Sequence, residues 1–270
     1  MAADEHTIEL DEMPVFFRSA PAAGTERLFL HGLPTSSDDM VPFLERSGGI
    51  APDLPGFGRT TKAGQLVYSP ESHADFVEQL LDELDIDSVK LIAHGWGAGG
   101  GLVFAQRHPE RIEKLVLINA LPLLADFSWH RLARMWRLPL LGELTMGSIP
   151  RWYLRRMLRR AGTNPDAWRK DEVKAVWEFF DQGTQRAILR LHRSGNPDDL
   201  ADAGANLSVI TAPALIVWGV HDPWFPARFA DEYAARLPDA RVWKLDDAGH
   251  WPWFDREDVL DAVDAFLGDD

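Results

Sequence analysis

The chain has 270 residues, 46% of them hydrophobic, which is enough for a large core and for one α/β unit carrying an insertion. It contains no cysteine, so disulfides, thiolate metal sites and a cysteine nucleophile are excluded. A formal net charge of −14 argues against a nucleic-acid partner, because phosphate binding needs a basic face.

The opening MAADEHTIELDEM is acidic and lacks the basic-then-apolar order of a secretion signal. No apolar run approaches the ~18 residues of a membrane span. The sequence therefore reads as a cytoplasmic protein with no membrane partner. Residues 7–19 hold two short alternating runs around Asp11 and Glu12, which predict a β-hairpin at a sheet edge. Arg27 to Gly32 (RLFLHG) is a continuous run of the kind found in a strand buried on both faces, and it leads into Leu33-Pro34-Thr35. Gly49 to Asp53 reads as another short strand. The tract DLPGFGRT follows, with Gly and Pro setting turn dihedrals, and no chemistry is assigned to it. Ser69-Pro70-Glu71-Ser72 supplies an N-cap, a proline at the first helical position and an acid in the first turn. A helix with Phe76, Leu80, Leu81 and Leu84 inward is predicted to follow, ending at Asp85 to Asp87. Val89 to Ala93 predicts the central strand, Trp96 to His108 the helix behind it, and Leu115 to Asn119 the next strand. Alternation of buried strands with amphipathic helices predicts a parallel, doubly wound sheet.

From Leu121 to about Asn206 the alternation stops and helical patterns rich in Trp and Arg replace it, broken by Pro139, Pro150 and Pro165. Residues 122–200 hold 14 Lys and Arg against 9 Asp and Glu, so this stretch is +5 and the remainder −19, which marks a second module. Strand character resumes at Ala214 to Trp218 and again at Arg241 to Leu245, with helices at Phe229 to Leu237 and Arg256 to Leu267.

Ala93 to Gly97 (AHGWG), between strand and helix, resembles the nucleophile elbow of the α/β-hydrolase family. That small-x-nucleophile-x-Gly turn lifts one reactive side chain above the sheet. Here the nucleophile position falls on Gly95, where the family carries Ser, Asp or Cys. Four further motifs stand in the family's order. HGLP resembles its HG-x-P loop, which implies an oxyanion-binding N–H from Leu33, and DLPGFGRT resembles its D-x-P-G-x-G-x-S/T loop. GVHDP resembles the turn that carries the acid, which implies Asp222, and GHWPW resembles the loop that carries the base, which implies His250. The resemblance implies an α/β-hydrolase fold: a mostly parallel, doubly wound sheet from residues 1–121 and 207–270, with a helical cap, 122–206, inserted after the sixth strand. The cap is expected to supply the substrate pocket, with Trp136, Phe179 and Phe180 as candidates beside Leu33 and Trp96.

In the triad logic Asp222 fixes the tautomer of His250, which takes a proton or activates water. Trp96 follows the elbow position as in the GHDWG elbows of haloalkane dehalogenases, fluoroacetate dehalogenases and epoxide hydrolases. HGLPTSS resembles the HG-x-PTSS loop of haloalkane dehalogenases, which carry Asn in place of Leu33. Epoxide hydrolases use a pair of cap tyrosines, whereas this cap has only Tyr153. Esterases with a Ser nucleophile also tolerate Trp at position 96, so epoxide, organohalide and ester substrates all stay open. Two readings follow: a hydrolase of a small apolar molecule that lacks its elbow nucleophile, or a non-catalytic protein that keeps the pocket for binding. Neither requires a cofactor or a metal, and the expected partner is a small-molecule substrate.

Overall fold

The structure, a computed structural model, describes residues 3–164 and 166–268. Eight strands form one sheet: β1 (Asp4–Leu10), β2 (Met13–Ala20), β3 (Arg27–Leu30), β4 (Gly49–Pro52), β5 (Val89–His94), β6 (Ile112–Ile118), β7 (Ala214–Gly219) and β8 (Ala240–Leu245). Their spatial order is β1-β2-β4-β3-β5-β6-β7-β8. The first three neighbours pair antiparallel, and every pair from β4–β3 to β7–β8 is parallel. The order reverses at β3–β5, which places the open crevice of an α/β sheet beyond the carboxyl end of β5. Every residue of β3, β5 and β7 is buried, as a strand covered on both faces requires. The expected edge hairpin is present. Asp11 and Glu12 turn it at φ of 47° and 64°, the paired left-handed conformation that matches strand twist.

Three helices precede the insertion: α1 (Val41–Ser47), α2 (Pro70–Glu83) and α3 (Gly97–Arg107). Ser69 caps α2 through a reciprocal pair of bonds with Ser72, and Pro70 opens the first turn. The DLPGFGRT loop is built around Asp53, whose fully buried carboxylate accepts the backbone N–H groups of Ser37 (2.7 Å) and Arg59 (2.7 Å). A Cβ at Gly58 would stand 2.0 Å from that carboxylate, so the glycine is a packing requirement.

Between β6 and β7 the chain forms α4 (Arg131–Trp136), α5 (Leu141–Gly147), α6 (Arg151–Arg160), α7 (Lys170–Phe179), α8 (Gln182–Ser194) and α9 (Pro197–Ala203). After β7 come α10 (Arg228–Ala234), α11 (Pro252–Asp255) and α12 (Asp258–Gly268). No helix among the described residues is long and apolar enough to cross a membrane.

The insertion is fastened where it leaves the sheet. The buried Tyr233 hydroxyl on α10 donates to Leu121 O (2.5 Å) and accepts from Leu123 N (2.8 Å). Removing the hydroxyl strands a buried donor and a buried acceptor, at about 1–3 kcal/mol. Tyr233→Phe is therefore expected to lower the melting temperature by about 2–4 °C for each kcal/mol lost. Thermal unfolding of the variant checks this, and an unchanged midpoint would show that the junction does not depend on the bond.

Candidate active site

Gly95 sits at the end of β5 with φ of +53°, the left-handed region that favours glycine. Its N–H donates to Ile118 O (3.2 Å) and its carbonyl accepts from Leu121 N (2.8 Å), so the turn is pinned to the end of β6. Two more glycines let the neighbouring loops close in. A Cβ at Gly97 would lie 2.4 Å from His31 O, and one at Gly32 would lie 2.7 Å from His94 Nδ1.

His250 lies over this turn. Its Nδ1 is 2.6 Å from Asp222 Oδ2, and both groups are buried. With Nδ1–H donated to the carboxylate, Nε2 presents a lone pair. A Cβ at Gly95 would stand 3.4 Å from that Nε2. The base and the elbow position therefore face each other at a distance where one further atom completes a hydrogen bond.

Asp222 is saturated. Oδ2 also accepts from Asn119 Nδ2 (2.8 Å), and Oδ1 accepts from Trp224 N (2.8 Å) and Phe225 N (3.1 Å). Asn119 follows β6 at φ of +40° and accepts Gly219 N–H on its own Oδ1 (2.9 Å), which binds the ends of β6 and β7 together. The His250 loop is held from below by His94, whose Nε2–H donates to His250 O (2.8 Å), and from above by Ala161 O of the insertion, which accepts His250 N–H (2.6 Å).

A cavity of about 60 Å³ opens beside His250 and Trp96. Leu33, Trp96 and His250 form its floor, and the insertion closes it with Trp129, Trp136, Met146, Ile149, Met157, Leu158, Phe180 and Ile188. Trp96 stacks on Trp129 at 5.6 Å with the planes 12° apart. Trp136 and Phe180 thus line the cavity with Leu33 and Trp96. Phe179 does not. Successive helical residues point about 100° apart, and Phe179 turns to a separate cleft where its ring lies 4.6 Å from the Arg59 guanidinium. Tyr153 packs against Trp152 and is not part of the cavity wall.

The cavity contains two polar groups that no sequence motif marked. His130 caps α4, its Nδ1 accepting from Ala133 N (3.3 Å), so Nε2 carries the proton. His192 donates Nδ1–H to Ile188 O (2.7 Å), which leaves Nε2 as an acceptor. Burial pushes His130 down to about 4 and His192 to about 3, so both are neutral imidazoles at pH 7. The buried indole N–H of Trp136 has no acceptor within the protein. One donor imidazole, one acceptor imidazole and one spare N–H are thus set in an aromatic wall. That arrangement can orient a polar atom of an otherwise apolar ligand.

Comparison with known proteins agrees with this architecture. A family described as the alpha/beta hydrolase fold matches residues 28–257. A haloalkane dehalogenase of Mesorhizobium japonicum is 30% identical over 90% of this chain and 83% of its own length. A cis-3-alkyl-4-alkyloxetan-2-one decarboxylase of Xanthomonas campestris is 29% identical over 93% and 91%. Among solved structures, an epoxide hydrolase superposes with a TM-score of 0.84 at 20% identity, covering 98% of both chains, which shows the shared fold.

The buried histidines predict an acid-sensitive fold. Burial, the largest cause in each case, lowers His31, His73, His94, His130 and His192 below the ordinary value. Below pH 6.5 the unfolded chain gains protons that the native state refuses, so stability falls as pH falls toward 4. Asp39 works in the opposite sense. Burial pushes its carboxyl up to about 7, so its neutral form suits the fold and stability is lost as pH rises from 4 through 7. The melting temperature is expected to drop by several degrees between pH 6.5 and 4.5. Asp39→Asn, which keeps an acceptor for Trp251 Nε1, is expected to raise it at pH 8 and leave it unchanged at pH 4. Calorimetry across this range reads both effects, and a flat profile would mean that these groups are not neutral in the fold.

Proposed function

The chain belongs to the α/β-hydrolase fold family, and on that premise we propose that it is a hydrolase scaffold for a small, apolar electrophile whose elbow nucleophile is missing at Gly95. One observation carries the reading. The place where a nucleophile's Cβ would stand is 3.4 Å from His250 Nε2, and His250 is tied through Nδ1 to a saturated Asp222.

With Gly95 in place, the available nucleophile is water. His250 Nε2 takes a proton from it, the oxygen attacks the electrophilic carbon, and the carbon's bond to its leaving atom breaks. Asp222 stabilises the imidazolium that results. The N–H groups of Leu33 and Trp96, which follow the two loop glycines, are the donors this reading assigns to the oxyanion that an ester would develop. For an epoxide the leaving oxygen needs a donor, and His130 Nε2–H occupies the role that a pair of cap tyrosines would fill. The cavity's size limits the substrate, and its aromatic wall selects an apolar one. Relatives named for a carbon–halogen bond and for an alkyl oxetanone point to the same class of electrophile. The second reading, a binding protein without turnover, draws on the fact that the apolar cavity is complete while the nucleophile is absent.

Gly95→Asp and Gly95→Ser separate these readings. A side chain at φ +53° costs of order 1–3 kcal/mol, offset by about 0.5–1 kcal/mol of unfolded-state entropy that glycine no longer has to lose. Its Cβ would also press Gly32 Cα at 3.3 Å. Both variants are expected to melt a few degrees below the wild type. One of them is expected to gain at least 100-fold in turnover on a panel of epoxides, haloalkanes and p-nitrophenyl esters. Trp96 favours Asp over Ser. If both lose stability and neither gains activity, the binding reading replaces the catalytic one. Any turnover by the wild type itself is expected to vanish in His250→Ala, and an unchanged rate in that variant would remove water activation from the account.

A further inference from the structure

Against the expectation of no membrane partner, we propose that the outer face of the insertion docks on an anionic lipid surface, placing the cavity where apolar molecules dissolve. Among the described residues, nine large hydrophobic side chains are exposed, and five of them (Leu138, Leu140, Leu141, Leu144 and Trp152) fall between residues 138 and 152. Leu140, Leu144 and Trp152 are 84%, 71% and 67% exposed. Isolated exposed leucines need no explanation, but five exposed apolar side chains between residues 138 and 152 make this stretch the candidate interaction surface.

The backbone strengthens the point. Leu140 has φ +66° and ψ −49°, and Leu141 N–H donates to Pro139 O across it (2.8 Å). This is a γ-turn of the rare positive-φ kind, strained for an L-residue. The strain lifts an apolar side chain into water, where it gains nothing within this chain.

Charge identifies the occupant. Residues 131–160 contain eight Arg and one acid, Glu143, so they carry +7 while the rest of the molecule carries −21. Glu143 is already paired with Arg193 at 2.6 Å. Arg131, Arg134 and Arg156 are exposed and have no acidic partner among the described residues. A second copy of the same face would set Arg against Arg, whereas anionic headgroups complement it, and Leu and Trp enter the layer beneath them. At physiological salt, screening over about 8 Å hides the acidic sheet domain behind the insertion. The helices are two-sided: α4, α5 and α6 turn Trp136, Met146 and Leu158 to the cavity and their exposed residues away from it. A lipid-dissolved molecule at the docked face is therefore one helix layer from the site. The inference does not depend on the chemistry at Gly95.

The test is co-sedimentation of the full chain with vesicles of phosphatidylcholine alone or mixed equally with phosphatidylglycerol, together with light scattering. Binding is expected only to the mixed vesicles and is expected to weaken steeply with salt. Leu140→Glu/Leu144→Glu and Arg131→Glu/Arg156→Glu should each bind at least tenfold more weakly while keeping the wild-type melting temperature, since these side chains lie in solvent. Equal binding to neutral vesicles would overturn the charge argument. No binding to the mixed vesicles, or unchanged binding by the Leu variant, would overturn the proposal. A wild-type dimer that the Leu variant abolishes would assign the face to a second copy instead.

Discussion

A carboxylate removed from water must have its oxygens occupied, and the burial of Asp222 imposes that condition on much of this fold. Four donors meet it: His250 Nδ1, Asn119 Nδ2 and the N–H groups of Trp224 and Phe225. Two come from the turn after β7, one from the end of β6 and one from the loop after β8. The acid therefore exists only if three strand ends arrive together, which the parallel register Ile118↔Val217 and Gly219↔Leu245 secures. Asn119 accepts a left-handed backbone to take part, a cost that its bonds to Gly219 N and Asp222 offset. The imidazole orientation follows from the carboxylate, and the direction of Nε2 follows from the imidazole.

The same geometry gives Gly95 its meaning. Elbow turns hold a side chain at strained dihedrals because the surrounding strands leave no alternative, and that strain is a cost set against activity. In this chain a glycine stands at the elbow position, where a φ of +53° carries no such strain, and glycines also make the close approaches at positions 32 and 97.

The strands and the elbow were legible because buried parallel strands leave continuous apolar runs and the loops between them leave Gly and Pro at fixed places. Asp222 and His250 were legible through motif order alone, since neither GVHDP nor GHWPW is distinctive by itself. Residues placed by tertiary contact left no such trace. Asn119 read only as the last residue of a strand, and its bond to Asp222 spans more than a hundred positions. His130 and His192 occupy an N-cap and an apolar helix face, where a packed histidine is the ordinary expectation. Phe179 and Phe180 show the limit of composition: neighbours of one type, one in the cavity wall and one under Arg59, divided by a rotation that the sequence of an insertion without regular period does not specify. The α1 helix was missed because seven residues with a proline give too little periodicity to read.

The insertion follows a different economy from the sheet. Its helices run from 6 to 13 residues, below the length at which a helix persists alone, so each depends on its inner face for order. Those inner faces do not all meet a solid core. Several meet a cavity, where Trp136 keeps an unanswered N–H and apolar side chains lack partner atoms on one side. A ligand that fills the space supplies both missing contacts, so its binding free energy is also ordering free energy for α4, α5, α6 and α8. Ala161 O also accepts His250 N–H, one bond between the end of α6 and the loop that carries His250. The helix whose Met157 and Leu158 line the cavity thus also ends against the loop that carries His250.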